Sequence, residues 1–174
     1  ATMMSNWIKS SPLFAFNLAN RDRWVGQQAA RLPAGARVLD MGAGSCPYRP
    51  LFAHCRYQTQ DFAGLDDEQL RHGGYGLIDY RCDIAKVPVG DAAFDAILCT
   101  EVLEHVENYR AVLREIRRVL KPGGLMVVTT PNVLNMKSRL RYLVCGFTNL
   151  FGPLPVKNQD RFHTSGHVTP IPYF

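Results

Sequence analysis

The chain has 174 residues, 47% of them apolar and 20% charged, a balance that fits one globular domain and argues against wholesale disorder. Twenty Lys and Arg against 15 Asp and Glu leave a formal charge of +5, a basic tilt that permits an anionic partner without requiring one. No apolar run approaches the roughly 20 residues that span a bilayer, and the first residues lack the layout of a signal peptide. The five cysteines, Cys46, Cys55, Cys82, Cys99 and Cys145, show neither CxxC nor Cys/His spacing, so the expectation is reduced thiols, no metal and a cytoplasmic location.

In chain order, Leu18, Val25, Ala29 and Leu32 recur at helical spacing among Arg21, Asp22, Arg23 and Gln27. This predicts an amphipathic helix over 18–32, stopped by Pro33 and Gly35. Arg37-Val38-Leu39-Asp40 is a buried strand entering a glycine turn at Gly42 and Gly44. Pro47 to Ala53 reads as a short helix opened by proline. Tyr57–Asp61 is a second strand, 65–71 a helical turn, and Tyr80–Ile84 a third strand. Phe94–Thr100 is a fourth, an apolar strand of the continuous kind found in parallel sheets covered on both faces. Glu107–Leu120 places Val112, Leu113, Ile116 and Val119 on one face and arginines mostly on the other. Lys121-Pro122-Gly123-Gly124 stops that helix before a fifth strand at Leu125–Thr130.

Alternating strands and helices predict an α/β fold: a doubly wound, Rossmann-like, mainly parallel sheet with helices on both faces. The expected organisation is an N-terminal helical segment (1–34), a cofactor-binding core (35–132) and a helix plus loop (133–174) that serves as a substrate lid. Within the last, Asn135–Val144 predicts a basic amphipathic helix, and 146–174 lacks a clear period.

The turn Val38-Leu39-Asp40-Met41-Gly42-Ala43-Gly44-Ser45 joins a strand to a helix, and its glycines let the backbone approach a ligand. Two cofactors compete for it. A dinucleotide wants a third glycine where Pro47 stands, and its pyrophosphate would be repelled by Asp40. S-adenosylmethionine has no phosphate and carries a cationic ammonium and sulfonium, which a carboxylate attracts. Asp40 therefore selects the methyl donor, with Gly42, Ala43 and Gly44 approaching it. Asp61, at the end of the second strand, accepts from the ribose hydroxyls, or else is a strand-end surface acid. Asp83 accepts from the adenine amino group while Ile84 packs on the ring, or else Asp83 caps a turn. Asp95 starts the fourth strand, at the end opposite the site, and reads as structural. Ligands of open parallel sheets bind at the strands' carboxyl ends, so the loop from Cys99 and Thr100 through Glu101 to His105 lines the pocket. Its backbone meets the methionine part of the cofactor, with Glu101 and His105 in reach of the substrate.

In order and spacing, Val38-Leu39-Asp40-x-Gly42-x-Gly44, Asp61, Cys82-Asp83-Ile84, Phe94-Asp95-x-Ile97, Glu101 to Val106 and Val119 to Gly124 resemble the small-molecule class I S-adenosylmethionine-dependent methyltransferases. That broad group includes the ubiquinone-biosynthesis enzymes, and the resemblance covers residues 20–132. It implies cofactor contacts at Asp40, Gly42, Gly44, Asp61, Asp83, Ile84 and the Cys99–Thr100 backbone. It also implies a sheet of about seven strands, of which about five are found, so the last two are expected after residue 174. Pro47 to Phe52 is similar to a segment in bacterial members tied to cell-surface glycan or lipid modification. Cys46 stands where many members have a third glycine.

The implied reaction is in-line transfer of a methyl group to a small-molecule or lipid- or glycan-linked acceptor, leaving S-adenosylhomocysteine. His105 is the candidate general base; the alternative is a histidine that packs under the loop. Lys137, Arg139 and Arg141, interleaved with apolar residues over 136–144, form either a lid against a membrane-borne substrate or a helix with its charges in water. Homodimerisation is a further expectation. No base pocket or basic stripe points to nucleic acid. The competing readings are a nicotinamide-dependent oxidoreductase, disfavoured by Asp40 and Pro47, and a non-catalytic module that keeps the fold.

Overall fold

A strand buried at nearly every position is covered on both faces, and in the computed structural model the two strands at the centre of the sheet are. The structure describes residues 12–131, Arg139 and residues 142–144. Strand β1 (Arg37–Met41) pairs in parallel with β2 (Arg56–Asp61) on one side and β4 (Phe94–Thr100) on the other. β3 (Tyr80–Arg81) extends the sheet beyond β2, and β5 (Leu120–Thr129) extends it beyond β4. The order is β3-β2-β1-β4-β5, and all pairs are parallel, in keeping with the doubly wound, mainly parallel sheet predicted from the sequence.

Alternate residues feed two cores. Val38, Ala96, Leu98 and Val127 pack with Val25 and Ala29 of helix α1 (Pro12–Ala29) and with Tyr48 and Phe52. Leu39, Met41, Ile97 and Cys99 pack with Val112, Ile116 and Val119 of helix α2 (Tyr109–Val119). Asn108 caps α2 by accepting from Ala111 N at 3.1 Å.

Several boundaries differ from the expected ones, each for a local reason. α1 ends three residues before the expected Leu32. Pro47 to Ala53 forms only a 3₁₀ turn at Arg49–Phe52, because Pro47 and Pro50 have no N–H with which to sustain a helical ladder. The turn within 65–71 is likewise a 3₁₀ turn, Asp67–Gln69, with Asp66 N donating to Gln69 Oε1 at 3.0 Å. β3 stops at Arg81 because Asp83 Oδ1 accepts from Ala85 N at 2.8 Å and opens a turn. β5 begins at Leu120 rather than Leu125: Leu120 pairs with Phe94 and Leu125 with Ala96, so residues 121–124 bulge out. Gly123 takes φ +77° there, and a Cβ at Gly124 would lie 2.9 Å from the Asp95 carbonyl. Asp95 clamps the base of the sheet, accepting from Arg37 N at 2.8 Å and from Lys121 Nζ at 2.6 Å. That is the structural role expected of it.

Of the expected helix over Asn135–Val144, Arg139 and Tyr142 to Val144 are helical; its other residues, and 146–174, lie outside the described residues. Cys46, Cys55, Cys82 and Cys99 are free thiols. Among the described residues no helix is long and apolar enough to cross a membrane.

Candidate cofactor site

The chain passes from β1 through β2 and β3 on one side of the sheet, then crosses to β4 on the other. This reversal between β1 and β4 leaves a crevice at the carboxyl ends, the usual ligand site of an open parallel sheet. The structure brings the candidate residues there together. Gly42 and Gly44 take φ +76° and +52°, a conformation that glycine adopts without strain. A Cβ at Gly42 would lie 2.5 Å from Val102 Cγ2. Cys46, at the expected third-glycine position, also takes a left-handed φ of +54°, so the turn keeps a glycine-like backbone there without glycine.

Asp61, 5% exposed, braces the turn. Its Oδ2 accepts from Gly44 N at 2.9 Å and its Oδ1 from Ala63 N at 2.9 Å. The carboxylate expected to meet the ribose thus also holds the glycine turn in place. Asp40 is 1% exposed and accepts from Tyr57 Oη. Burial raises its carboxyl to about 7, with the Asp61 charge adding to the rise and the Tyr57 hydrogen bond and Arg49 opposing it. Asp40 is therefore divided between acid and carboxylate at neutral pH.

Gln60 went unnoticed in the sequence. It is 1% exposed. Its backbone oxygen accepts from Gly42 N at 2.8 Å and Ala43 N at 3.0 Å. Its side chain accepts from Gly42 N at 3.2 Å and donates to Cys82 O at 2.7 Å. One buried amide therefore ties the glycine turn to the end of β3, next to Asp83 and Ile84. The signal available was a glutamine inside an otherwise strand-like run, which a buried site tolerates only when hydrogen-bonded.

Asp83 is exposed and engaged in its own turn. Ile84 packs against the α2-side core. Cys99 is fully buried, and Thr100 ends β4 at the carboxyl side of the sheet. Glu101 takes φ +55°, with its N–H donating to Thr129 O at 2.9 Å. Its carboxylate meets Arg21 Nη1 of α1 at 3.0 Å and accepts from Thr129 Oγ1 at 3.0 Å. Arg21 Nε also donates to Tyr48 Oη at 3.1 Å, which donates to Asp22 at 3.0 Å, and Asp22 pairs with Arg71 at 2.6 Å. This chain of contacts joins α1 to the segment after the glycine turn, to the loop after β2 and to the end of β4.

His105 closes the 3₁₀ turn Leu103–His105 after β4, its side chain 43% exposed and its Nε2 4.0 Å from Glu104 Oε1. Burial pushes the Glu104 carboxyl up to about 8, so that partner is mostly neutral at pH 7.

The residues present fit the methyl donor. Two buried carboxylates, Asp40 and Asp61, stand at the left-handed glycine turn, and Ser45 Oγ beside it is buried with no hydrogen-bond partner among the described residues. A ligand rich in hydroxyl, amine and carboxylate groups supplies such partners.

Comparison with known proteins agrees. The family described as Methyltransferase domain matches residues 39–128. The chain is 35% identical over 136 residues to a ubiquinone biosynthesis O-methyltransferase of Maricaulis maris, covering 74% of this chain and 52% of that protein. It is 26% identical over 132 residues to a demethylmenaquinone methyltransferase of Bacillus velezensis, covering 70% and 57%. In fold it is similar to the YcgJ protein of Bacillus subtilis, with a TM-score of 0.50 at 21% identity over 63% of this chain and 50% of that one. The chain spans about half the length of the curated relatives it matches.

Proposed function

The chain belongs to the class I S-adenosylmethionine-dependent methyltransferase domain family, and on that premise we propose that it binds S-adenosylmethionine at the carboxyl ends of β1 to β4 and methylates a small-molecule acceptor. The observation that carries this reading is the pair Asp40 and Asp61, buried on either side of a left-handed glycine turn at the switch point. When bound, the cofactor supplies an electrophilic methyl group on a sulfonium. Asp40 and the Gly42 to Gly44 backbone hold the methionine end, Asp61 the ribose, and Asp83 with Ile84 the adenine. The backbone of Cys99, Thr100 and Glu101 walls the methyl side. What remains for the protein is to align the acceptor and exclude water.

Titration calorimetry tests the binding reading. Saturable binding of S-adenosylmethionine and S-adenosylhomocysteine, with no heat from NAD, is the expected result. Binding of NAD instead would return the site to the oxidoreductases.

His105 is the residue proposed to take the acceptor's proton. Its position on an exposed turn beyond β4 supports this, as does the ordinary suitability of an imidazole for proton transfer near neutrality. His105→Ala is expected to lower turnover by about 10²–10⁴-fold while S-adenosylhomocysteine binds unchanged. Full turnover in the variant ends that role. The names of the relatives make a quinone precursor the first acceptor to test. Exposed Tyr142, Leu143 and Val144 support an acceptor carried on a lipid.

A further inference from the structure

Asp40 is buried and needs a donor, and the sheet register provides one. Val38 pairs with Tyr57 and Asp40 with Thr59. Tyr57 and Asp40 therefore share a face, one repeat apart along parallel strands, and a phenol is long enough to reach this diagonal neighbour. Tyr57 Oη donates to Asp40 Oδ2. The ring that carries it is fixed from two sides. The Phe52 ring lies 5.6 Å away and the Arg49 guanidinium 5.1 Å above it. Arg49 is itself anchored by donating to Leu77 O at 3.2 Å. Among the described residues, the hydroxyl that bonds the buried acid thus sits on a braced ring, in the same strand whose Gln60 and Asp61 brace the glycine turn.

We propose that Tyr57 is a positioning residue for the methyl donor, its hydroxyl holding the Asp40 carboxylate ready to receive the cofactor's ammonium group. This rests on the cofactor site proposed above. The groups facing Asp40 are Tyr57 and Asp61 from β2, Arg49 and Cys46 from the segment after the glycine turn, and Cys99 from β4. Burial and Asp61 favour the neutral acid, whereas the Tyr57 hydrogen bond and Arg49 favour the carboxylate. Burial and the Asp40 charge push the Tyr57 phenol far up, so it remains a donor across the working range.

The sign follows from these opposing effects. An ammonium binds the carboxylate and not the acid, so affinity rises with pH through about 7 and then levels. Removing the hydroxyl moves Asp40 still higher. At pH 7 the variant then holds fewer ionised sites, whereas at pH 9 both proteins are ionised. The ligand's own amine titrates alike in both and cancels in a ratio.

The test is calorimetric titration of S-adenosylhomocysteine into the wild-type chain and Tyr57→Phe, which keeps the ring and its two contacts, at pH 7, 8 and 9. The variant is expected to bind about tenfold more weakly at pH 7, and within about twofold at pH 9. On an Asp40→Asn background, Tyr57→Phe is expected to cost nothing further. A penalty that stays constant with pH, or that persists on the Asp40→Asn background, makes Tyr57 a packing residue and overturns the proposal. Equal affinity at pH 7 overturns it as well. A folded wild-type chain that binds no S-adenosylhomocysteine overturns the cofactor site itself, which the wild-type arm alone reports.

Discussion

Gly42→Ala is expected to lower the melting temperature by about 10 °C and to remove measurable binding of S-adenosylhomocysteine. Two costs add at this one position. With φ at +76°, an alanine carries the left-handed penalty of about 1–2 kcal/mol. Its Cβ would also stand 2.5 Å from Val102 Cγ2 and 3.1 Å from Cγ1, and forced overpacking costs a further 1–3 kcal/mol or so. At roughly 2–4 °C per kcal/mol for a chain of this size, the sum falls near the shift given. Relief by moving the turn is blocked, because Gly42 N is bonded to both the backbone and the side-chain oxygen of Gln60. Val102→Ala separates the two costs. It removes the collision but leaves the φ penalty, so the double variant is expected to lose less than the two single losses added together. Strict additivity would mean that Val102 does not lie against the turn. Melting curves of the four proteins decide it.

How much of this was legible in the sequence depends on how local each determinant is. β4 could be read because it holds the continuous apolar run Ala96–Cys99, β1 because a short apolar run enters the glycine turn, and α2 because its apolar positions repeat at helical spacing ahead of a Pro-Gly stop. The candidate site could be read where motifs are local, in the glycine turn with Asp40 and the loop after β4, and at the strand end that carries Asp61. The contacts that shape it are long-range. Tyr57 reaches Asp40 through a register of parallel strands 17 residues apart, and no periodicity encodes register between strands. Gln60 looks like any strand residue until Gly42 and Cys82 are placed beside it. The Arg21–Glu101 pair needs α1 laid over the end of β4. The charge of Asp40 carried the sequence argument for a cationic ligand, and burial alters its meaning. A carboxyl near 7 even with its Tyr57 hydrogen bond is fully charged at neutral pH only once a cation favours the ionised form.

Asp61 is where the sequence reading, a ribose contact, and the structure, a brace for the turn, make different predictions. Asp61→Ala would abolish cofactor binding on either account. It leaves the amides of Gly44 and Ala63 without the acceptors they have at 2.9 Å. Each such loss in a buried place costs about 1–3 kcal/mol, enough to collapse the turn and lower the melting temperature by about 10 °C. Loss of binding in that variant therefore says nothing about ribose. Asp61→Asn does, because it keeps the shape and one acceptor oxygen and is expected to retain most of the stability. The informative quantity is a preference, adenosine against 2′,3′-dideoxyadenosine, measured by competition with S-adenosylhomocysteine. A carboxylate receiving both hydroxyls makes the wild type favour adenosine by about tenfold or more. Asp61→Asn is expected to erase most of that preference, whatever it does to overall affinity. If the preference survives intact, Asp61 serves the backbone alone, and the ribose is held by another group at the carboxyl end of the sheet.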